Sequence, residues 1–207
     1  MKLNFWVNLN HFMQKLYLSF DIEADGPSPA HNNMLSLGIY GFDQDKNEVF
    51  TWQKNFFPRI GKKADHKCMT EFWDKQPQAW AFVNKDRVQP SEGMLDLAKQ
   101  LKNLECHDWK IVWVAWPSAY DWQWLNTYYQ EMLSVYSHLD LPYLGFKATC
   151  ASSLWTFYVK EHKLTKKQEN ILWEKCSEGL KGNHNSLEDA KVQGLLYYNL
   201  MKEAGIF

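Results

Sequence analysis

Two spacings of apolar residues along the chain predict its strands and helices. Short apolar runs, one of them nearly continuous, are typical of strands in a covered sheet. They predict strands at Leu16–Glu23, Met34–Phe42, Glu48–Phe57 and Trp109–Ala115. Apolar residues three or four positions apart predict helices at Met69–Asn84, Gly93–Asn103, Tyr120–Val135, Cys150–Lys160 and Leu187–Ala204. This order favours an α/β fold, with a central mixed β-sheet flanked by helices.

The length and composition fit a single folded domain. The chain has 207 residues, 45% of them hydrophobic, which is enough to bury a full α/β core. We expect residues 1–14 to form an N-terminal extension and residues 15–207 to form one domain.

The sequence also predicts a protein with no membrane partner. No stretch approaches the ~20 apolar residues of a membrane span, and the start of the chain lacks the small-residue cleavage site of a signal peptide. The four cysteines form no CxxC pair, so we expect reduced thiols rather than a zinc site. The expected location is cytoplasmic or otherwise intracellular.

A net charge of −1 limits the nucleic-acid partners that the chain can hold. Proteins that grip long duplexes through phosphates need many unopposed Lys and Arg residues. The charge does not argue against an enzyme that holds only a strand end, where a metal ion neutralises the local phosphates.

The first candidate for chemistry is a pair of acids at the end of the first predicted strand. Alternate side chains of a strand point to one face, so Asp21 and Glu23 lie side by side. Like charges this close raise a pKa or require a cation. The turn after Ala24 places the pair at a carboxyl-terminal strand edge, where open α/β sheets bind ligands. For this motif alone, two acids facing water on an edge strand are the alternative.

His184 and Asp189 precede and open the last predicted helix. Ser186 is the expected N-cap, with Asp189 in the first turn, where the helix dipole favours a negative charge. A loop position for His184 lets both side chains point at one site. A plain helix cap is the alternative, and the two interpretations compete for the same carboxylate.

A third acidic position, Asp121, follows the strand Trp109–Ala115 and a turn that contains Pro117. It falls in the first turn of a predicted helix. That position fits either a site residue or an acid that only compensates the helix dipole.

The order of these motifs resembles the DEDDh group of the DnaQ-like 3′→5′ exonucleases, in the RNase H-like superfamily. The strongest parts are Asp21-Ile-Glu23-Ala-Asp-Gly-Pro and His184-x₄-Asp189-Ala-x-x-Gln193, and the resemblance spans roughly Leu16 to Ala204. It implies an RNase H-like fold and two divalent metal ions, Mg²⁺ or Mn²⁺.

The resemblance also implies a role for each site residue. Asp21, Glu23 and Asp189 would bind the first ion. Asp21 would bridge to the second ion, which Asp121 would help to hold, directly or through water. His184 would be the general base, since a loop histidine with a pKa of roughly 6.5 can take a proton near neutral pH. Carboxylate oxygens without a thiolate are the ligands that Mg²⁺ and Mn²⁺ prefer.

Substrate contacts are expected around the first motif. Single-stranded ends are commonly held by stacking on aromatic rings, for which Trp73 is the first candidate and Tyr120 the second. The backbone from Ala24 to Gly26 can approach a terminal sugar, since Gly26 has no side chain. Trp116-Pro117 stands where many family members carry an Asn, which alters the wall of the pocket.

The expected activity is 3′→5′ hydrolysis of RNA or short single-stranded oligonucleotides with a free 3′ end. The first motif and the segment Met69–Trp73 look more like the exoribonuclease branch than the proofreading subunits. The same chemistry on DNA is one alternative. A catalytically silent nucleic-acid-binding protein on this fold belongs to a different class, and the presence of all five site residues argues against it. An unrelated α/β protein with surface acids is a further alternative. The oligomeric state is open, with a homodimer among the options.

Overall fold

The computed structural model describes residues 14–207, and its strands form one mixed sheet. The strands of this part of the chain are β1 (Lys15–Ala24), β2 (Met34–Phe42), β3 (Glu48–Phe56), β4 (Arg87–Val88), β5 (Lys110–Ala115) and β6 (Thr149–Cys150). They lie in the order β4-β3-β2-β1-β5-β6. The first three pair antiparallel, β5 runs parallel to β1, and the short strands β4 and β6 run parallel to β3 and β5. The predicted mixed sheet is confirmed.

Helices cover both faces of the sheet. They are α1 (His66–Glu71), α2 (Pro77–Val83), α3 (Pro90–Cys106), α4 (Ser118–Leu133), α5 (Ala151–Glu161), α6 (Lys166–Cys176) and α7 (Ser186–Glu203). Leu18 and Phe20 of β1 belong to the core under α3 and α4, whereas Tyr17 belongs to the core under α5 and α7. Because strand side chains alternate, Asp21 and Glu23 lie on the same face as Tyr17, which is the face that α7 covers.

The predicted helix Met69–Asn84 is two helices with a turn between them. After α1, residues Trp73–Lys75 form one 3-10 turn, and α2 then begins at Pro77. Proline has no N–H and suits the first turn of a helix but not its interior. The break turns the side chains of Phe72 and Trp73 in different directions, so that Trp73 is buried and Phe72 is not.

Apolar spacing does not predict α6, β4 or β6. In α6 the only buried residue is Cys176, so the helix has almost no apolar stripe to detect. It begins instead with a capping box formed by Thr165 and Gln168. The two edge strands have two residues each, which is too short for an alternation to appear.

The predicted N-terminal extension falls on residues that the structure does not describe, apart from Gln14. The carbonyl of Gln14 accepts a hydrogen bond from the backbone N–H of Lys110 at 2.9 Å. The boundary between extension and domain stays a prediction. Across residues 14–207, none of the helices has the length and apolar character needed to cross a membrane.

The last helix, α7, approaches β2 closely at Gly38. A Cβ atom at Gly38 would lie 2.2 Å from the backbone nitrogen of Leu187 and 2.3 Å from the carbonyl carbon of Ser186. Gly38 is also the residue that pairs with Asp21 between β2 and β1. The missing side chain therefore lets the first turn of α7 lie beside the acids of β1.

Replacing Gly38 with alanine is expected to push the start of α7 away from the sheet. The contacts are with helix backbone and cannot be relieved by a rotamer change, so we expect a loss of about 1–3 kcal/mol in the free energy of unfolding. Urea denaturation measures this loss. The exposed Thr51→Ala on β3 is the matched control for an alanine in the sheet. Equal stability of the two variants would contradict the close approach.

Candidate active site

Two acids stand at the end of β1. Glu23 is 7% exposed and Asp21 is half-buried. The pairing register of β1 with β2 shifts between Glu23 and Ala24, so the strand bends immediately after the second acid. Asp25 has a different task, because its carboxylate accepts hydrogen bonds from the backbone and side-chain N–H groups of Asn33 at 2.6 and 2.7 Å. Asp25 therefore closes the β1–β2 loop and leaves the first two acids to the site.

Asp121 reaches the same edge of the sheet from a neighbouring strand. Since β5 runs parallel to β1, α4 begins beside the end of β1, with Asp121 in its first turn. The side chain is not at the surface, since Asp121 is only 2% exposed. Its Oδ2 atom has no hydrogen-bond partner among residues 14–207. A buried acid with an open oxygen differs from an exposed residue that only compensates a helix dipole.

His184 and Asp189 come to the site from the start of α7. The expected N-cap at Ser186 is wrong: Asn185 caps the helix, and the Ser186 hydroxyl instead lies 2.7 Å from that of Ser36 on β2. Because Asn185 supplies the cap, the Asp189 carboxylate is free of that role. The Asp189 carboxylate accepts hydrogen bonds from backbone N–H groups of the preceding loop, including that of His184 at 3.0 Å. His184 has a φ of +61°, and this left-handed turn leads the loop into the helix.

Side chains from β1 and from the loop before α7 meet at this site. The Nδ1 atom of His184 lies 3.5 Å from Oε1 of Glu23. One ligand atom each of Glu23, His184 and Asp189 fall within 4.8 Å of one another. Asp21 interacts electrostatically with Asp121, Glu23 and Asp189, so all five predicted site residues lie together at one edge of the sheet.

Burial and neighbouring negative charges determine the electrostatics of the cluster. Burial raises the pKa of Asp21 well above its usual range, and the charges of Asp121, Glu23 and Asp189 raise it further. Burial is also the main cause of the raised pKa values of Asp121 and Glu23. His184 opposes this effect on Glu23 through their contact.

The donor set fits a hard divalent cation. Buried carboxylates that repel one another gain from a positive charge between them. Oxygen ligands with at most one imidazole suit Mg²⁺ and Mn²⁺, and the unpartnered oxygen of Asp121 faces no competing protein donor in the described residues. These observations support the predicted divalent metal ions.

Exonucleases are among the known proteins of similar sequence or structure. The chain is 22% identical over 185 residues to the 3′-5′ DNA exonuclease Cap18 of Escherichia coli, covering 89% of this chain and 90% of that relative. Pop2p of S. pombe, in its Mg²⁺- and Mn²⁺-bound form, superposes with a TM-score of 0.54 and 15% identity over 92% of this chain and 84% of that one. E. coli exonuclease I in complex with a dA16 oligonucleotide gives a TM-score of 0.60 and 10% identity over 92% of this chain and 41% of the other. No protein-family model matches.

The chain has the RNase H-like fold of the DnaQ-like 3′–5′ exonucleases. This confirms the fold implied by the resemblance of the motifs. The DnaQ-like fold also accounts for the meeting of the site residues, since the ends of β1 and β5 and the start of α7 lie at one edge of the sheet.

A cavity of about 540 Å³ opens beside the acids of the site. It is lined by Gly26, Pro27, Asp65, Lys67, Cys68, Glu71, Phe72 and Tyr120. The Tyr120 hydroxyl donates a hydrogen bond to the carbonyl of Gly26 at 3.1 Å, which holds the wall together. Gly26 lines this cavity, and a Cβ there would lie 2.3 Å from Cγ of Asn32, so its missing side chain also makes room for a loop residue.

The predicted stacking wall at Trp73 is wrong. Trp73 is 1% exposed, and its indole N–H donates to the carbonyl of Ala24 at 3.0 Å. Its ring is therefore part of the core that supports Ala24 and offers no face to a base.

Phe72 is the aromatic residue of this segment that reaches the cavity. Its ring lies 4.8 Å from that of His184 and 5.1 Å from that of Trp73, in both cases edge to face. Trp73 is predicted in place of Phe72 because one continuous helix is assumed over Met69–Asn84. The proline at position 77 was the available sign that the helix breaks.

Proposed function

We propose that the chain is a metal-dependent 3′→5′ exonuclease that removes nucleotides from the 3′ end of single-stranded nucleic acid. The observation that carries the proposal is the meeting of four carboxylates and His184 at one sheet edge, although the residues come from distant parts of the chain. The similarity to exonucleases over nearly the whole chain supports the same conclusion. We also propose that residues 15–207 form the single exonuclease domain.

Each acid has a proposed task in holding the ions. Asp21, Glu23 and Asp189 would bind the first ion, and Asp21 and Asp121 the second. Bound divalent ions stabilise the attacking and leaving oxygens of a phosphodiester during in-line displacement. The raised pKa of Asp21 supports this assignment, because a carboxylate that its neighbours destabilise gains most from a cation.

His184 is the proposed general base. Its side chain is 38% exposed, so water reaches the ring. The contact between Nδ1 and Glu23 holds the imidazole and leaves Nε2 to accept a proton from the attacking water. The cavity beside it would hold the terminal nucleotide, with its base against Phe72.

RNA and DNA are alternative substrates, and a different observation favours each of them. RNA is the expectation from the first motif, whereas the name of the E. coli relative favours DNA. A catalytically silent binding protein is disfavoured, because a protein that only binds nucleic acid has no need of buried acids that repel one another. An intracellular location and a homodimer stay predictions, and the four free cysteines agree with a reducing compartment.

Incubation with end-labelled RNA and DNA of one sequence tests the proposal. Labels at the 5′ end should appear in a ladder that shortens from the 3′ end, with Mn²⁺ or Mg²⁺ present and not with EDTA. Comparing the two strands also identifies the preferred sugar. Intact substrate under all metal conditions would overturn the proposed activity.

Replacing Phe72 with alanine is expected to weaken binding of the terminal nucleotide. A stacked base contributes about 1–3 kcal/mol, so KM should rise roughly 5- to 150-fold with a smaller change in kcat. Steady-state kinetics on a short oligonucleotide measure this. The control is Phe157→Ala, which removes an exposed phenylalanine of α5 that does not line the cavity. Equal KM values for the two variants would remove Phe72 from the substrate site.

A further inference from the structure

Gln193 of α7 makes a direct contact with the central acid of the site. Its side-chain Nε2 donates a hydrogen bond to Oδ1 of Asp21 at 2.7 Å. We propose that Gln193 is a positioning residue that fixes the rotation of the Asp21 carboxylate, so that Oδ2 would be free to bind a divalent ion. This inference rests on the proposed exonuclease function and adds Gln193 to the proposed active site.

The other three acids are held in different ways. Asp189 is held by backbone N–H groups of the loop before α7. Glu23 contacts His184, and Asp121 interacts with the backbone at the end of β1. Among these four acids, Asp21 is therefore the one whose carboxylate accepts a hydrogen bond from a side-chain amide in the described residues. It is also the acid proposed to touch both ions, so its orientation matters most.

The backbone that carries Gln193 is fixed against the sheet. At the next residue, Gly194, a Cβ would lie 2.9 Å from Cε1 of Phe42 and 3.0 Å from Cβ of Ser19. Ser19 is on the same face of β1 as Asp21, two residues earlier. This close packing keeps the distance between α7 and β1 constant, so an amide of the length of glutamine reaches Asp21.

The second end of the amide has no partner in the described part of the chain. The Oε1 atom of Gln193 is buried and accepts no hydrogen bond there. A buried glutamine kept only for stability would normally satisfy both ends. The retained bond to Asp21 indicates that the amide serves the carboxylate.

The test is Mn²⁺ affinity of Gln193→Leu, which keeps a similar volume and removes the donor. Loss of a residue that orients a metal ligand typically costs 10- to 100-fold in metal affinity, so the dissociation constant should rise by about that factor. Free Mn²⁺ is measured by its electron paramagnetic resonance signal, with no substrate present. Gln193→Met is the second variant in case the leucine variant does not fold.

Activity gives an independent measurement. If Gln193 acts through metal binding, saturating Mn²⁺ should restore much of the lost kcat of Gln193→Leu, and a purely structural defect would not respond to the metal. The matched control is Asn199→Leu, farther along α7, where an amide donates to the carbonyl of Cys176 at 2.8 Å. Its Mn²⁺ affinity should equal that of wild type.

The outcomes separate this inference from the proposed function. Wild-type digestion with equal Mn²⁺ affinity in wild type and Gln193→Leu would overturn the role of Gln193 and keep the exonuclease. Absence of both Mn²⁺ binding and digestion in wild type would overturn the exonuclease itself.

Discussion

Asp21→Asn is expected to lower exonuclease turnover by on the order of 10³-fold, as is typical when a principal electrostatic stabiliser is lost. The same substitution should make the metal-free protein more stable. Burial raises the pKa of Asp21 well above its usual range, and the charges of three neighbouring acids raise it further. Asparagine keeps the shape and the acceptor for Gln193 but removes one negative charge.

The stability difference depends on pH in a defined direction. A carboxyl group with a raised pKa in the folded state favours folding while it is protonated, at low pH. This contribution is lost as the pH rises from the ordinary Asp pKa of about 3.9 through the raised value. Metal-free wild type should therefore lose more stability over this pH range than Asp21→Asn.

Thermal unfolding with EDTA at several pH values, together with nuclease kinetics, checks both parts. Divalent ions should raise the melting temperature of wild type more than that of the variant. Asn126→Asp on α4, outside the cluster, controls for a change of one charge. Full digestion by Asp21→Asn would exclude Asp21 from the metal site.

His184→Ala is expected to lower kcat by about 10²- to 10⁴-fold, the usual contribution of a general base. Affinity for Mn²⁺ should stay close to that of wild type, because the proposed metal ligands are the carboxylates. Mn²⁺ titration and single-turnover kinetics measure the two effects separately. A large loss of Mn²⁺ affinity would make His184 a metal ligand, which its distance to Glu23 and Asp189 allows.

The protonation of His184 gives a second measurement of its role. Its contact with Glu23 raises the pKa of the imidazole, and the negative charges of Glu23 and Asp189 act in the same direction. In metal-free protein the ring should therefore titrate above the ordinary value of about 6.5. A divalent ion should lower this pKa, because the cation offsets those charges. Proton NMR of the ring, with and without Mg²⁺, follows the change.

Activity should rise with pH through the His184 pKa, since only the neutral ring accepts a proton. The matching comparison is the pH profile of His184→Ala, which should lack this step. A profile shared by wild type and variant would assign the proton transfer to another group.

The sequence predicts the acids of the site well because strand geometry is local. The alternation along β1 places Asp21 and Glu23 on one face without any knowledge of the rest of the fold. The junction of β5 and α4 similarly identifies Asp121. The proposed metal ligands could therefore be named, whereas their mutual distances depend on how α7 packs at Gly38, which is a tertiary contact.

The substrate side was harder to predict because it depends on a short irregular segment. Phe72 and Trp73 are adjacent, and a helix break decides which ring is buried. The N-cap was misassigned by one residue for a related reason, since Asn185 and Ser186 are both good caps. The Ser186 hydroxyl meets Ser36 on a distant strand instead.

The close packing of α7 against β2 at Gly38 has a consequence for the synthesis of the protein. A nascent chain that has emerged through β5 carries the first acids but lacks His184 and Asp189, which follow Asp21 by more than 160 residues. Contacts between such distant segments form late, because the intervening loop must close first. The proposed active site can therefore form only after α7 has been synthesised and has packed on the sheet.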